Sequence, residues 1–254
     1  MLKTAIKAAK EAGEIAKADF GNVNTEFKGD VFEPSNIVTK TDVECEEVIV
    51  NILSKTFPSH NIFGEEKTDI KKNSPYTWYI DPIDGTSNFS RNIPLFGMSI
   101  GLTENDEPIL GVLYFPMLDL LLYAEKGRGS FANNEKISVS KRPLNQSLYY
   151  AGSYYKKKLR LNRSVSDKVG ILKMISCSSF ALAQIAMGDA EIYLLTSIPH
   201  DVVAGVVIVE EAGGKVTDFE GNPWTIHSKN ILVTNKNIHE EVVELIKKEK
   251  REAL

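Results

Sequence analysis

From Leu2 to Phe20 the apolar residues Leu2, Ile6, Ala9, Ala12, Ile15 and Ala16 recur at helical spacing with Lys and Glu between them. That pattern predicts an amphipathic first helix. A second helix is predicted from Thr41, where Thr41-x-x-Glu44 has the form of a capping box. It carries Val43, Val48, Ile49, Ile52 and Leu53 and stops before Pro58. Short strands are predicted at 62–63, 77–80, 96–102, 109–115 and 120–124. Asn133-Asn134 is expected to turn a hairpin between 129–132 and 136–139, because Asn tolerates positive φ.

After about Ser147 strands and helices alternate. A helix is predicted over 178–187, ending at Gly188, and a strand over 191–195. An apolar helix over 201–212 is closed by Gly213-Gly214, with a strand at 215–218 after it. A strand at 231–234 and a terminal helix from Asn237 finish the chain. No internal repeat interrupts the series. The expected organisation is an α+β half over residues 1–145 packed against an α/β half over 146–254.

The chain has 254 residues, enough for a large core. Its net charge of −4 gives no basic excess for nucleic acid or an anionic membrane. One local exception is Lys156, Lys157 and Lys158 with Arg160 and Arg163, which reads as a solvated face. The two cysteines, Cys45 and Cys177, lie far apart with no metal-type spacing, in keeping with a reducing cytoplasm. No apolar stretch approaches a membrane span. Gln occurs only at 146 and 184 while Lys and Glu abound, a leaning of heat-adapted proteins.

The chemistry begins at Asp81-Pro82-Ile83-Asp84-Gly85-Thr86-Ser87-Asn88. The run follows the apolar strand Trp78-Tyr79-Ile80, so Asp81 is expected at that strand's end. Two carboxylates three residues apart can share a hard cation. Gly85 to Asn88 supply small residues whose N–H groups can face an anion, more so if a helix begins there. The competing reading is an Asp-Pro/Asp-Gly turn with Thr86 as a helix cap. Glu65 in Gly64-Glu65-Glu66 also follows a strand. Asp201 opens an apolar helix, where capping is the ordinary role of an Asp, and Asp42 beside Thr41 has the same ambiguity.

The ordered set of motifs resembles the inositol monophosphatase family, within the superfamily of magnesium-dependent, lithium-sensitive phosphatases that includes fructose-1,6-bisphosphatase. The pieces are Val38-Thr39-Lys40-Thr41-Asp42, Gly64-Glu65-Glu66, Asp81 through Phe89, Gly127-x-Gly129 with Phe131-x-Asn133, Ala186-x-Gly188, Asp201-x-x-Ala204-Gly205 and Glu211-Ala212-Gly213-Gly214. The compact form is similar to archaeal enzymes that hydrolyse both inositol monophosphates and fructose 1,6-bisphosphate. The resemblance implies an α+β fold, a layered α-β-α-β-α sandwich of the sugar phosphatase type, and a homodimer; the cytoplasm is the location expected from the cysteines and the lack of an apolar signal core.

It also implies roles for the residues. Glu65, Asp81 and the Ile83 carbonyl would hold one Mg²⁺, and Asp81, Asp84 and Asp201 a second. Glu65 would help hold a third, and Mn²⁺ is a possible substitute. Thr86, oriented by Asp42, would position a metal-activated water for in-line attack on phosphorus. Asp84, Gly85, Thr86 and Ser87 would line the phosphate. Lys173 stands near a position that grips a second phosphate, and Ser178 lines the sugar pocket. His200 replaces the family's usual Trp, as a packing or hydrogen-bonding substitution. The position of an inositol-binding Glu falls near Leu195 or Thr196, which weakens the implication for inositol. A 3′-phosphoadenosine 5′-phosphate phosphatase is the alternative within the chemistry, and a non-catalytic regulatory protein of the same fold the alternative outside it. Trp78, Tyr79 and Trp224 read as core, and His60, His227 and His239 occur singly.

Overall fold

The structure, a computed structural model, describes residues 1–22, 25–27, 37–152, 163–196 and 199–252. The Lys156, Lys157, Lys158 and Arg160 cluster lies outside the described residues. In chain order the first elements are α1 (Leu2–Asp19), β1 (Thr25–Phe27), β2 (Ile37–Thr39), α2 (Lys40–Thr56), β3 (Asn61–Gly64), β4 (Asp69–Ile70), β5 (Tyr76–Asp84) and α3 (Thr86–Phe89). Then come β6 (Gly97–Glu104), β7 (Glu107–Phe115), β8 (Leu120–Glu125), β9 (Ser130–Ala132), β10 (Glu135–Lys136) and β11 (Leu148–Ala151). They are followed by α4 (Arg163–Ser166), β12 (Ile171–Lys173), α5 (Ser178–Ala186), β13 (Ile192–Leu195) and α6 (Pro199–Glu211). The last are β14 (Lys215–Thr217), β15 (Ile231–Thr234) and α7 (His239–Glu252).

Five layers result. The alanine face of α1 and the Cys45, Ile49, Leu53 stripe of α2 pack on one side of an eight-stranded sheet, ordered β10-β9-β8-β7-β6-β5-β3-β4, against Ile80, Ile100 and Val112. The other side, with Leu113 and Leu122, meets α5 and α6. These two helices in turn cover Tyr193, Val216, Ile231 and Val233 of a five-stranded sheet, ordered β12-β11-β13-β15-β14. Beyond that sheet lie Val165 of α4 and Val242 and Ile246 of α7. This is the α-β-α-β-α sandwich expected. Helix α6 is apolar nearly all round because it is enclosed between two sheets, and its residues 202–209 are all buried.

The Asn133-Asn134 turn forms as expected, with φ of 46° and 71° at the two residues. Three expectations need correction. The N-cap of α2 is Thr39, not Thr41: the box is formed by Thr39 and Asp42, since Thr39 ends β2 in extended backbone and the helix already starts at Lys40. The strand expected over 77–80 runs on to Asp84, and Asp81 is therefore inside it. An irregularity in the β5–β6 register between Asp81 and Asp84 accommodates Pro82 there. The terminal helix starts at His239, two residues after Asn237.

Trp78 is buried with its Nε1–H donated to His60 Nδ1 at 3.1 Å, and Tyr79 and Trp224 are also core residues. Glu211 accepts the N–H groups of Gly127 and Gly129, each at 2.7 Å, which joins two motifs that the sequence keeps far apart. Among the described residues no helix is long and apolar enough to cross a membrane.

Candidate active site

Three element ends bring the acids together. Asp81 and Asp84 sit at the irregular end of β5, Glu65 directly follows β3, which pairs parallel to β5, and Asp201 is the third residue of α6. Asp81 is 2 % exposed. Burial, then the neighbouring charges of Glu65, Asp84 and Asp201, raise its carboxyl well above the ordinary range, and Glu65 is also within hydrogen-bond reach. Burial likewise lifts Asp84 to about 6, although hydrogen bonds from Ser179 and Cys177 oppose the shift. Four carboxylates on one buried point repel one another. Burial first, and that repulsion second, favour the protonated form of Asp81 and Asp84.

Among the described residues no three His, Cys, Asp or Glu side chains are set to hold one ion as they stand. Protein donors occupy several of the oxygens. Asp81 Oδ1 accepts the Ile83 N–H at 3.0 Å. Asp84 accepts the Ser178 N–H at 3.1 Å, the Ser179 N–H and the Cys177 thiol at 3.2 Å. It thus sits at the N-terminus of α5, where a helix favours negative charge. His200 Nε2 lies 3.1 Å from Asp201 Oδ1, and its ring stacks on Phe63. Each carboxylate oxygen has a second lone pair. The donor set is all oxygen and carries excess negative charge, which fits a hard divalent cation rather than a soft one.

Beside the acids lies an amide-lined turn. Gly85 adopts φ of +95°, where a side chain is strained, and a Cβ would stand 2.9 Å from the Leu95 carbonyl oxygen. Thr86 and Ser87 open the short helix α3, so their N–H groups have no carbonyl within it to bond. The Thr86 hydroxyl lies 3.0 Å from Asp42 Oδ1 and 2.9 Å from the Ile83 carbonyl. Asp42 in turn accepts from the Thr39 N–H at 2.8 Å and from the Thr39 hydroxyl. Burial pushes Asp42 up to about 6 against those hydrogen bonds.

A profile of the inositol monophosphatase family matches residues 1–251. The chain belongs to that family. It is 35 % identical over 247 residues to a Thermotoga maritima fructose-1,6-bisphosphatase/inositol-1-monophosphatase, covering 96 % of this chain and 95 % of the relative. It is 37 % identical over 251 residues to inositol monophosphatase 2 of Solanum lycopersicum, covering 92 % and 93 %. Among solved structures, the Thermotoga maritima IMPase superposes with a TM-score of 0.91 at 35 % identity over 99 % of this chain and 98 % of that one. The suppressor protein suhB of Bartonella henselae gives 0.90 at 31 % identity, over 97 % and 98 %. As a family member the chain is a phosphoric monoester hydrolase of the sugar- and polyol-phosphate class, and the family uses divalent metal ions.

Not every predicted residue of this inositol monophosphatase family member joins the cluster. Asp42, Glu65, Asp81, Asp84 and Asp201 do, with Ile83, Gly85, Thr86 and Ser87 on the adjoining strand end and turn. Ser178 touches it through its backbone N–H, while its hydroxyl accepts the Tyr193 hydroxyl at 2.8 Å. Lys173 lies at the exposed end of edge strand β12, and none of the contacts described for the acids reaches it. It stands two residues before Ile175, whose carbonyl accepts Asn88 Nδ2 at 2.7 Å. Two side-chain roles escaped the sequence reading, which takes Asn88 only for its backbone N–H. Asn88 also binds the Leu95 carbonyl at 2.8 Å and so fastens the segment before α5 to the Gly85 turn. Glu46, a buried acid on α2, has the other. Its signal was an acid four residues after Asp42, on the stripe that continues to Ile49 and Leu53.

Proposed function

We propose that the chain is a Mg²⁺-dependent phosphomonoesterase of the cytoplasm, a Li⁺-sensitive homodimer, with fructose 1,6-bisphosphate and myo-inositol monophosphates as substrates. The observation that supports it most is the convergence of Glu65, Asp81, Asp84 and Asp201 beside the amides of Gly85, Thr86 and Ser87. The names of its relatives point to the same two substrates.

Two or three Mg²⁺ ions, with Mn²⁺ as a substitute, would be held by Glu65, Asp81 and the Ile83 carbonyl and by Asp81, Asp84 and Asp201. Such ions, when bound, polarise phosphoryl oxygens and lower the pKa of water. The chain's own residues do the positioning. The amides of Gly85 to Ser87 bind phosphate oxygens and align the ester. Asp42 takes the proton of the Thr86 hydroxyl in a hydrogen bond, which leaves the Thr86 oxygen free to accept one from an attacking water. The Thr39 cap fixes Asp42, so Thr86 has one orientation to offer. Lys173 would meet a second phosphate, and the α5 N-terminus at Ser178 would border the sugar.

The test is phosphate release, with Mg²⁺, from a panel of the bisphosphate, inositol monophosphates and 3′-phosphoadenosine 5′-phosphate. The sugar or polyol esters should be preferred, and Asp84→Asn should reduce release by at least about a hundredfold, the scale of losing a transition-state charge partner. A marked preference for the nucleotide would overturn the substrate assignment. No release from any ester would overturn the catalytic one.

A further inference from the structure

Glu46 is a buried acid that the chemistry above leaves unused. It lies one helical turn after Asp42 and is 3 % exposed. Its carboxylate accepts four hydrogen bonds from the turn after β3. Oε2 takes the Glu66 N–H at 2.8 Å, and Oε1 takes the Lys67 N–H at 2.9 Å, the Thr68 N–H at 2.9 Å and the Thr68 hydroxyl at 2.8 Å. All four partners are neutral donors. A carboxylate is acceptor-only and matches such a ring of donors in a way that no neutral side chain does.

The approach is close enough to dictate the sequence beneath it. A Cβ on Gly64 would stand 2.4 Å from Glu46 Oε2 and 2.6 Å from Cδ, so the residue before Glu65 has no room for a side chain. On its other flank the turn is tied to the sheet. Glu65 N–H donates to the Ile80 carbonyl at 3.0 Å, and Gly64 N–H to the Thr68 carbonyl at 2.8 Å. Glu65 is therefore pinned between β5 on one side and Glu46 on the other.

We propose that Glu46 is a positioning residue that fixes the Glu65 carboxylate for metal binding. The inference rests on Glu65 and Asp81 being metal ligands. It differs from a purely structural role in what it predicts: outer partners of metal ligands alter affinity for the ion by about 10–100-fold. In Glu46→Gln the amide oxygen can keep the three donors at Oε1. Its NH₂ then faces the Glu66 N–H, donor against donor, next to Glu65.

The experiment is Mn²⁺ binding to the whole protein, followed by electron paramagnetic resonance, alongside the Mg²⁺ dependence of phosphate release. Folding of each variant is checked by circular dichroism. Glu46→Gln should weaken Mn²⁺ binding about tenfold or more, and its half-saturating Mg²⁺ should rise by a larger factor than kcat falls. Should Glu46→Gln fail to fold, Thr68→Ala, which removes only the hydroxyl partner, carries the test and should weaken binding in the same direction. Unchanged Mn²⁺ affinity in a folded Glu46→Gln, or in Thr68→Ala where it stands in, overturns the proposal. Asp81→Asn separates the two levels. If Asp81→Asn loses Mn²⁺ and Glu46→Gln keeps it, only the role of Glu46 falls. If Asp81→Asn binds Mn²⁺ like wild type, the ligand assignment falls and the inference with it.

Discussion

Asp42→Asn should make the metal-free protein more stable at neutral pH while slowing catalysis. Asp42 is 1 % exposed, and burial carries its carboxyl from 3.8 to about 6. A shift of about two units, at about 1.4 kcal/mol each, corresponds to about 3 kcal/mol against the charged form. The native carboxyl holds its proton to higher pH than the unfolded one does. The stability it contributes is therefore complete below pH 3.8 and is lost as pH rises through about 6. Asparagine has no such loss.

Some of the gain is returned, because a neutral side chain at the third position of α2 forfeits about 0.5 kcal/mol of helix-dipole interaction. With the amide oxygen kept on Thr39, the NH₂ group faces Thr86 Oγ1, which must then accept rather than donate. The Thr86 proton moves to the Ile83 carbonyl, 2.9 Å away. The expected net is about 2 kcal/mol of stabilisation near pH 8, shrinking to nothing near pH 4. Urea denaturation in EDTA across that range gives the stability difference. Turnover with Mg²⁺ near pH 8 should fall by about 10²–10⁴, the scale of a lost proton-handling group. A stability difference that does not change with pH, or wild-type turnover, would refute the reasoning.

Two further outcomes follow from other parts of the fold. His239 is buried with its ring nitrogens 3.0 Å and 2.8 Å from the hydroxyls of Thr217 and Thr234, and burial, helped by Lys215, lowers its pKa to about 4. The unfolded imidazole protonates first, so stability is whole above about pH 6.5 and falls by about 3 kcal/mol as pH drops toward 4; His239→Gln should flatten that slope in urea titrations, and an unaltered slope would exclude His239 as its source. Gly111 lies under α6, where a Cβ would stand 2.1 Å from the Ala204 carbonyl oxygen, and Gly111→Ala must push back backbone rather than a side chain. It should cost about 3 kcal/mol and, because α6 carries Asp201, lower activity too; a wild-type melting temperature would contradict that.

Much of the site was legible because its residues cluster in local words. Asp81 to Asn88 could be read as two acids and an amide turn at the end of a strand, and the ordered partners lifted it above an ordinary turn. The capping error arose where two local words overlap. Thr39-x-x-Asp42 and Thr41-x-x-Glu44 are both well-formed boxes, and no local rule chooses between them. Tertiary structure decides: Thr39 pairs in β2, and the free oxygen of Asp42 meets Thr86, 44 residues on. Glu46 was hidden for a similar reason. Its place on the buried stripe of α2 could be read, but not its four donors, which come from a turn 20 residues later.

Substrate choice is harder to read, for a reason visible in how the two halves join. The acids are legible because a site for a hard cation calls for carboxylate oxygen and little else. The segment before α5 is placed in large part by backbone, beside the Cys177 thiol on Asp84. Ile175 gives its carbonyl to Asn88, and Ser178 and Ser179 give their N–H groups to Asp84. Apart from proline at 178 or 179, which has no N–H to give, other side chains at 173, 175 and 178 leave those three bonds formally possible. The joint can thus be kept while the side chains around it change. Ser178 makes the point: its N–H serves the acidic site while its hydroxyl turns to Tyr193. The helical period that reveals α5 and α6 reports which side chains the core requires and says nothing about the ones it does not.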